Sequence, residues 1–264
     1  MESGVPQDKS RHPDRAMRQR LITVYGRKAA LEALRDPQLS AQTLHLAESN
    51  KPGGIVREIL AAAQTRNIAV KYHSREALSR ISRNGRQDQG VALDVRGEAM
   101  CGLEEFLVRH KQSRQALCLI ALDGVTNPQN MGMAIRSASA AGLDGILYAD
   151  QGNPALGPLV IKASAGTVFQ APLLRCRSVS EGIEILLAEG FTLYRLQASS
   201  SKDLFHETLS YPAVFVLGSE TDGVSAAVSA LQGHNLRIPM TNNVESLNVA
   251  VSAALVAYTA VSAR

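Results

Sequence analysis

Five polar residues on three separated stretches have the side chains a shared site would need. The stretch "LDGVTNPQNMGMAIRSASAAG" carries Asn130 and Arg136, "FVLGSETDGVS" carries Glu220 between Gly218 and Gly223, and "IPMTNNVESLNVAVSAALVAY" carries Ser246 and Asn248. Each contains or follows an apolar run that reads as a β-strand, and open α/β sheets bind ligands beyond the carboxyl ends of their strands. Singly, the three stretches are an ordinary turn, loop and helix cap. A guanidinium, a carboxylate and neutral hydrogen-bonding groups at three exits of one sheet read instead as one pocket.

The local chemistry gives each exit a shape. Pro128 bars Asn127 from helical geometry and leaves Asn130 placed to cap a helix beginning near Met131. Arg136 then lies past the first turn, on the face of Ala140, among alanines and serines small enough for close packing. Gly218 admits a backbone or a ligand, and Gly223 suits a turn before the helix "VSAAVSALQ". In the third stretch a strand is expected to end at Met240 and a helix to begin near Ser246. That helix is small or apolar nearly all round, so it should be buried, with Ser246 and Asn248 buried or lining a cleft.

The elements that must hold these exits alternate along the chain. In the first half, the helical "GRKAALEALRD" precedes "QTLHLA", where Leu44 and Leu46 alternate as in a strand. "GGIVREILAAAQTRN" sets Ile55, Val56, Ile59, Leu60 and Ala63 on one helical face, "IAVKYH" alternates Ile68, Val70 and Tyr72, and after the helical "SREALSRIS" the run "QGVALDV" alternates Val91, Leu93 and Val95. Residues 21–97 therefore read as a small α/β domain and residues 98–115 as a charged linker with a short helix. The second half, 116–264, holds the apolar strands "ALCLIAL", "GILYA", "FTLYRLQA", "AVFVLG" and "LRIPM" between helices, the pattern of a parallel sheet covered on both faces. Residues 1–20 are polar, basic and without periodicity, and are expected to form a disordered tail.

Charge divides with the domains. Residues 1–115 carry 20 Lys and Arg against 13 Asp and Glu, whereas residues 116–264 carry 8 against 11. A basic first half suits a polyanionic partner. No apolar run approaches the roughly 18 residues of a membrane helix and no secretory signal opens the chain, so no membrane partner and a cytoplasmic location are expected. Cys101, Cys118 and Cys176 lie far apart, without the spacing of a metal or disulfide framework, and read as reduced thiols. No G-x-G-x-x-G fingerprint is present, which disfavours a Rossmann nicotinamide enzyme.

In order and spacing the three stretches resemble the signature motifs of the SpoU (TrmH-type) RNA ribose 2′-O-methyltransferases, and "KASAGT", residues 162–167, resembles a further segment of that family. The first half, with "VYGRKAALEAL" and "QDQGVAL", resembles the substrate-binding domain that precedes the catalytic domain in RlmB-like ribosomal RNA methyltransferases. This resemblance implies an α/β fold with a trefoil-knotted parallel-sheet C-terminal domain behind a smaller N-terminal α/β RNA-binding domain. It also implies a homodimer with the active site near the subunit interface. S-adenosyl-L-methionine would be held at Gly218, Ile238, Met240 and Leu247, and Arg136, Asn130, Glu220, Ser246 and Asn248 would form the active site, with no metal. Where many relatives have Asp and Ser, this chain has Asn127 and Ala250.

The implied reaction is methyl transfer to a ribose 2′-hydroxyl of RNA, with ribosomal RNA the expected substrate. The remaining alternatives are a transfer RNA ribose methyltransferase and a non-catalytic RNA-binding or ribosome-assembly protein of the same fold. A guanidinium with a pKa above about 12 is a poor base. Arg136 is therefore expected to bind the neighbouring RNA phosphate and stabilise alkoxide charge, leaving Glu220 or water to take the proton. With no Trp and 4% aromatic residues, RNA recognition should lean on backbone and shape.

Overall fold

The computed structural model describes residues 20–51, 53–113 and 116–264; the expected tail, apart from residue 20, lies outside them. The N-terminal domain is a four-stranded sheet in the order β1-β4-β2-β3, formed by β1 (Leu21–Tyr25), β2 (Ser40–Ala47), β3 (Ala69–His73) and β4 (Val91–Arg96). β4 runs antiparallel to both β1 and β2, while β2 and β3 are parallel. Alternation sorts the two faces. Ile22, Val24, Leu44, Leu46, Leu93 and Val95 are buried in one core with residues of α1 (Arg27–Arg35) and α2 (Gly54–Thr65). The opposite face carries Thr23, Thr43, His45, Lys71 and Asp94, with α3 (Arg75–Ser82) packed beside it through Leu78. β3 lies at the sheet edge and leaves Tyr72 exposed, although its spacing matched that of the buried residues.

The second domain is a wholly parallel seven-stranded sheet in the order β11-β9-β10-β6-β7-β8-β5. Its strands are β5 (Cys101–Gly102), β6 (Cys118–Leu122), β7 (Gly145–Ala149), β8 (Leu173–Cys176), β9 (Thr192–Leu196), β10 (Ala213–Leu217) and β11 (His234–Leu236). All residues of β6, β7 and β10 are buried. Cys118, Ile120, Leu122, Phe215 and Leu217 share one core with α5 (Pro128–Ala141) and the last helix, α9 (Val249–Ser262). Leu119, Ala121, Val214 and Val216 face the other core, with α4 (Leu103–Arg109) and α7 (Val179–Ala188). Burial on both faces is why these strands read as unbroken apolar runs.

Three expectations are corrected. Within residues 98–113 the expected short helix is present as α4, which buries Leu103, Phe106 and Leu107, but Cys101–Gly102, read as part of the linker, pairs with Leu174–Arg175 as the sheet's edge strand. The strand expected through Met240 ends at Leu236, and Pro239 has no N–H to extend a ladder. "VSAAVSALQ" forms only the short α8 (Ala226–Ser229). The two domains also touch directly, through the Tyr25 ring packed on Gly157, where a Cβ would sit 2.7 Å from the ring, and the connecting segment is held by the Glu98 N–H bonded to the Phe169 carbonyl at 2.8 Å.

Candidate active site

β6 and β10 are neighbours, so their carboxyl ends place the first two exits side by side. From β6 the chain passes Asp123 and enters α5 at Pro128. Asn127, not Asn130, caps this helix: its Oδ1 accepts from the N–H groups of Gln129 (2.8 Å) and Asn130 (3.4 Å). An aspartate would accept the same bonds, so Asn127 preserves the cap. Asn130, freed from capping, is 6% exposed and turns its side chain toward the other two exits.

Those exits meet it. Asn248 caps α9, its Oδ1 accepting from the Ala250 N–H at 2.9 Å. That bond fixes the amide's orientation, because only the oxygen can accept. Asn248 Nδ2 must then face outward, where it donates to Glu220 Oε1 at 2.8 Å and to Asn130 Oδ1 at 3.1 Å. Asn130 Nδ2 in turn donates to the same Glu220 Oε1 at 2.9 Å. The backbone of the last helix thus orders the triangle of Asn130, Glu220 and Asn248. Glu220 Oε1 holds two amide hydrogens, while Oε2 has no hydrogen-bond partner among the described residues.

The loop bearing Glu220 is shaped by its own backbone. A Cβ on Gly218 would lie 1.9 Å from the Gly223 carbonyl carbon, because Ser219 and Gly223 bridge back upon each other. Gly223, at φ +67°, makes the return turn. Asp123, 8% exposed, pins the far side by accepting the Ser225 N–H at 2.7 Å. Sequence reading missed Asp123, whose only signal was an acidic residue directly after an apolar strand. It also missed Asn153, which ties the β7 exit to β6 by accepting from Ala149 N–H (2.9 Å) and donating to the Leu122 carbonyl (2.8 Å).

Small residues in α5 serve contact with the "KASAGT" segment. A Cβ on Gly132 would meet Ala163 Cβ and the Val160 carbonyl oxygen at 2.6 Å, so α6 (Pro158–Ala163) packs backbone to backbone there. Ser164, fully buried, donates to the Ile161 carbonyl at 3.0 Å and accepts from Val168 N–H at 3.4 Å, holding the turn that follows.

Two expected residues stand apart. Arg136 is exposed on α5, six residues or about 9 Å along the axis from Asn130 and on a different face. It has no hydrogen bond or ion pair among the described residues. Its stripe is Gln129, Met133, Arg136 and Ala140, all exposed. Ser246 precedes α9, which begins at Val249 rather than near Ser246. Within one chain both Ser246 and Asn248 are exposed, not buried as the apolar helix suggested, because α9 itself leaves Val251 and Tyr258 uncovered. Gly218, Ile238, Met240 and Leu247 are half-buried in the loops flanking the triangle. Among the described residues no cluster of His, Cys, Asp and Glu is arranged to hold a metal.

Comparison with known proteins agrees with this architecture. Residues 118–258 match the SpoU rRNA Methylase family and residues 23–100 the RNA 2′-O ribose methyltransferase substrate binding domain. A protein of Staphylococcus saprophyticus, named for the TrmH family of tRNA/rRNA methyltransferases, is 29% identical over 90% of this chain and 94% of its own length. A Staphylococcus aureus protein of the same naming is 30% identical over 77% of this chain and 81% of its own. The crystal structure of an AdoMet-bound rRNA methyltransferase from Sinorhizobium meliloti superposes with a TM-score of 0.61, at 24% identity over 92% of this chain and 87% of that one, and so shares the fold. With a family match across more than half its length and the substrate-binding match ahead of it, this chain belongs to the SpoU family of RNA methylases.

Proposed function

We propose that this protein transfers the methyl group of S-adenosyl-L-methionine to a ribose 2′-hydroxyl of ribosomal RNA. The observation that carries the reading is the Asn130–Glu220–Asn248 triangle, assembled from three strand exits in a chain of this family. The loops fit the cofactor. Between Ile238 and Leu247 the described chain makes one backbone–backbone hydrogen bond, Val244 N–H to the Thr241 carbonyl at 3.2 Å. The remaining N–H and C=O groups are free to meet an adenine edge, beside the half-buried side chains of Ile238, Met240 and Leu247 and the tight turn at Gly218. When bound, the cofactor supplies an electrophilic methyl carbon.

The chain's own residues align and deprotonate the acceptor. Alignment of two reactants in one site lowers a barrier by several kcal/mol. Glu220 Oε2 is the free carboxylate oxygen, and it accepts the hydroxyl proton directly or through a water. Arg136 stays protonated and binds the neighbouring phosphate and the developing alkoxide. Asn130, Ser246 and Asn248 orient the carboxylate, the ribose and the cofactor's methionine end.

Because Arg136 and Asn130 lie on different faces of α5, we assign Arg136 to the triangle of a second copy. Met133, Val251 and Tyr258, exposed by 41%, 49% and 54%, lie on two helices packed against each other and offer an apolar surface beside Arg136. A homodimer through this surface would bring the guanidinium of one copy toward the triangle of the other. The trefoil knot belongs to the same proposal, supported by α9 returning from the β11 edge to lie on α5.

The basic first half and the substrate-binding match support an RNA substrate; ribosomal RNA is the form of it we propose, and the cytoplasm is the corresponding location. No described helix is long and apolar enough to cross a membrane. Mapping 2′-O-methyl positions in ribosomal and transfer RNA from cells with and without the protein tests the assignment. Loss of a ribosomal position supports it; loss confined to transfer RNA, or no change, contradicts it.

A further inference from the structure

A cleft of about 980 Å³ separates the polar face of the N-terminal sheet from the ends of β7 and β8. It lies away from the triangle yet along the same carboxyl edge: the sheet order β10-β6-β7-β8 runs from the Glu220 exit directly to it. With parallel strands about 4.8 Å apart, the β8 end stands roughly 10–14 Å from the exits that carry Asn130 and Glu220, a span of a few nucleotides of extended RNA.

The charges in the cleft are unevenly satisfied. Asp94 accepts from Thr23 Oγ1 at 2.8 Å and from His45 Nε2 at 3.1 Å, and Asp150 is taken by Arg175 at 2.8 Å. Lys71, Arg83 and Arg177 line the space with side chains that make no hydrogen bond or ion pair to a described residue, and the Arg80 side chain makes only a long bond to its own helix. Against these four cations stand two carboxylates without an ion pair, Glu104 and Glu181, each in the first turn of a helix where the backbone already favours an acid. Arg83 is held at φ +55° just past the end of α3, which is where that helix faces the second domain.

We propose that this interdomain cleft is a second RNA site, gripping the phosphate backbone of the substrate strand a few nucleotides from the methylated ribose, with Lys71 and Arg83 from one domain and Arg177 from the other. It rests on the methyltransferase reading and adds to it a residue from the catalytic domain and a path for the strand. Contacts of this kind fix register without reading bases, so the site measures the distance between the two domains' grips.

The test uses the full chain and transcribed, unmodified ribosomal RNA, with binding followed against salt. Lys71→Gln, Arg83→Gln and Arg177→Gln should each weaken RNA binding about threefold to tenfold and lower the slope of log K against log salt by about 1. AdoMet affinity and Tm should match the parent, and a short oligonucleotide should compete where a mononucleotide at equal phosphate concentration does not. Parental affinity and slope in all three variants, while the parent protein methylates RNA, would overturn the cleft site and leave the methyltransferase reading intact. Displacement of RNA by mononucleotide as effectively as by oligonucleotide would assign the cleft to a free nucleotide and overturn it too. Failure of the parent protein to bind RNA would sink both.

Discussion

Asn248 Nδ2 donates to Glu220 Oε1 at 2.8 Å while the same side chain's Oδ1 caps the last helix. One residue therefore ties the start of α9 to the only acid of the triangle. Asn248→Asp separates the two roles. The carboxylate still accepts the Ala250 N–H but turns a second negative oxygen toward Glu220. Calorimetry should find Tm within a few degrees of the parent, and methyl transfer should fall about 10- to 100-fold. Asn248→Ala should lose activity similarly and also about 1 kcal/mol of stability with the cap. Full activity in Asn248→Asp would remove the triangle from the chemistry.

Arg136 is exposed and its side chain has no hydrogen bond or ion pair among the described residues, so the fold of the described chain does not lean on it. Arg136→Lys should leave Tm unchanged and lower kcat/KM by about 100-fold, since an ammonium cannot make the two parallel bonds of a guanidinium. Near-normal turnover would contradict a bidentate role.

The Gly218 loop gives a different signature. Gly218→Ala places a methyl where the Gly223 backbone already sits, 1.9 Å from its carbonyl carbon. The loop must open. Isothermal titration should show AdoMet affinity reduced at least 10-fold, with the circular dichroism of the sheet retained. Unchanged affinity would place the cofactor elsewhere.

Much of this was legible in the residues. The continuous apolar strands foretold a sheet covered on both faces, and three polar exits foretold a meeting point, because parallel strands put all their carboxyl ends on one edge. Asn130, Glu220 and Asn248 do meet. Asn127 was hidden as a cap because Pro128 opens the helix three residues earlier than the apolar pattern suggests. β5 was illegible at two residues within a charged segment: nothing local distinguishes Cys101–Gly102, which becomes a strand only through its partner β8. The exposure of Ser246 and Asn248 could not be inferred from α9 either, since an apolar helix face looks alike whether its own chain or another copy covers it.

The thiols offer a check on the interior. Burial pushes Cys118 and Cys176 up to about 12 and raises Cys101 as well. With a pKa near 12, only about one thiol in 10,000 is thiolate at pH 8, and thiolate is the reactive form. Native protein at pH 8 should therefore resist iodoacetamide for hours and take up three labels once denatured. Rapid labelling of the native protein would contradict the packing around β6 and β8.

Buried Arg195, on β9 beside β10, ties the segment between α8 and β11 to the sheet. Its guanidinium gathers the carbonyls of Ser229 (3.0 Å), Leu231 (2.7 Å) and Gly233 (3.0 Å), and its Nε donates to Asn235 Oδ1 (2.8 Å). Arg195→Met leaves these acceptors without a donor and should cost about 3 kcal/mol or more in urea unfolding. A loss under 1 kcal/mol would mean that water replaces the side chain.

The most direct measurement of the central claim is nucleoside analysis of RNA incubated with the protein and methyl-labelled S-adenosyl-L-methionine. The account predicts label in a single 2′-O-methyl nucleoside, abolished by Glu220→Gln. Label on a base, or none above background with ribosomal RNA and with transfer RNA alike, would contradict it.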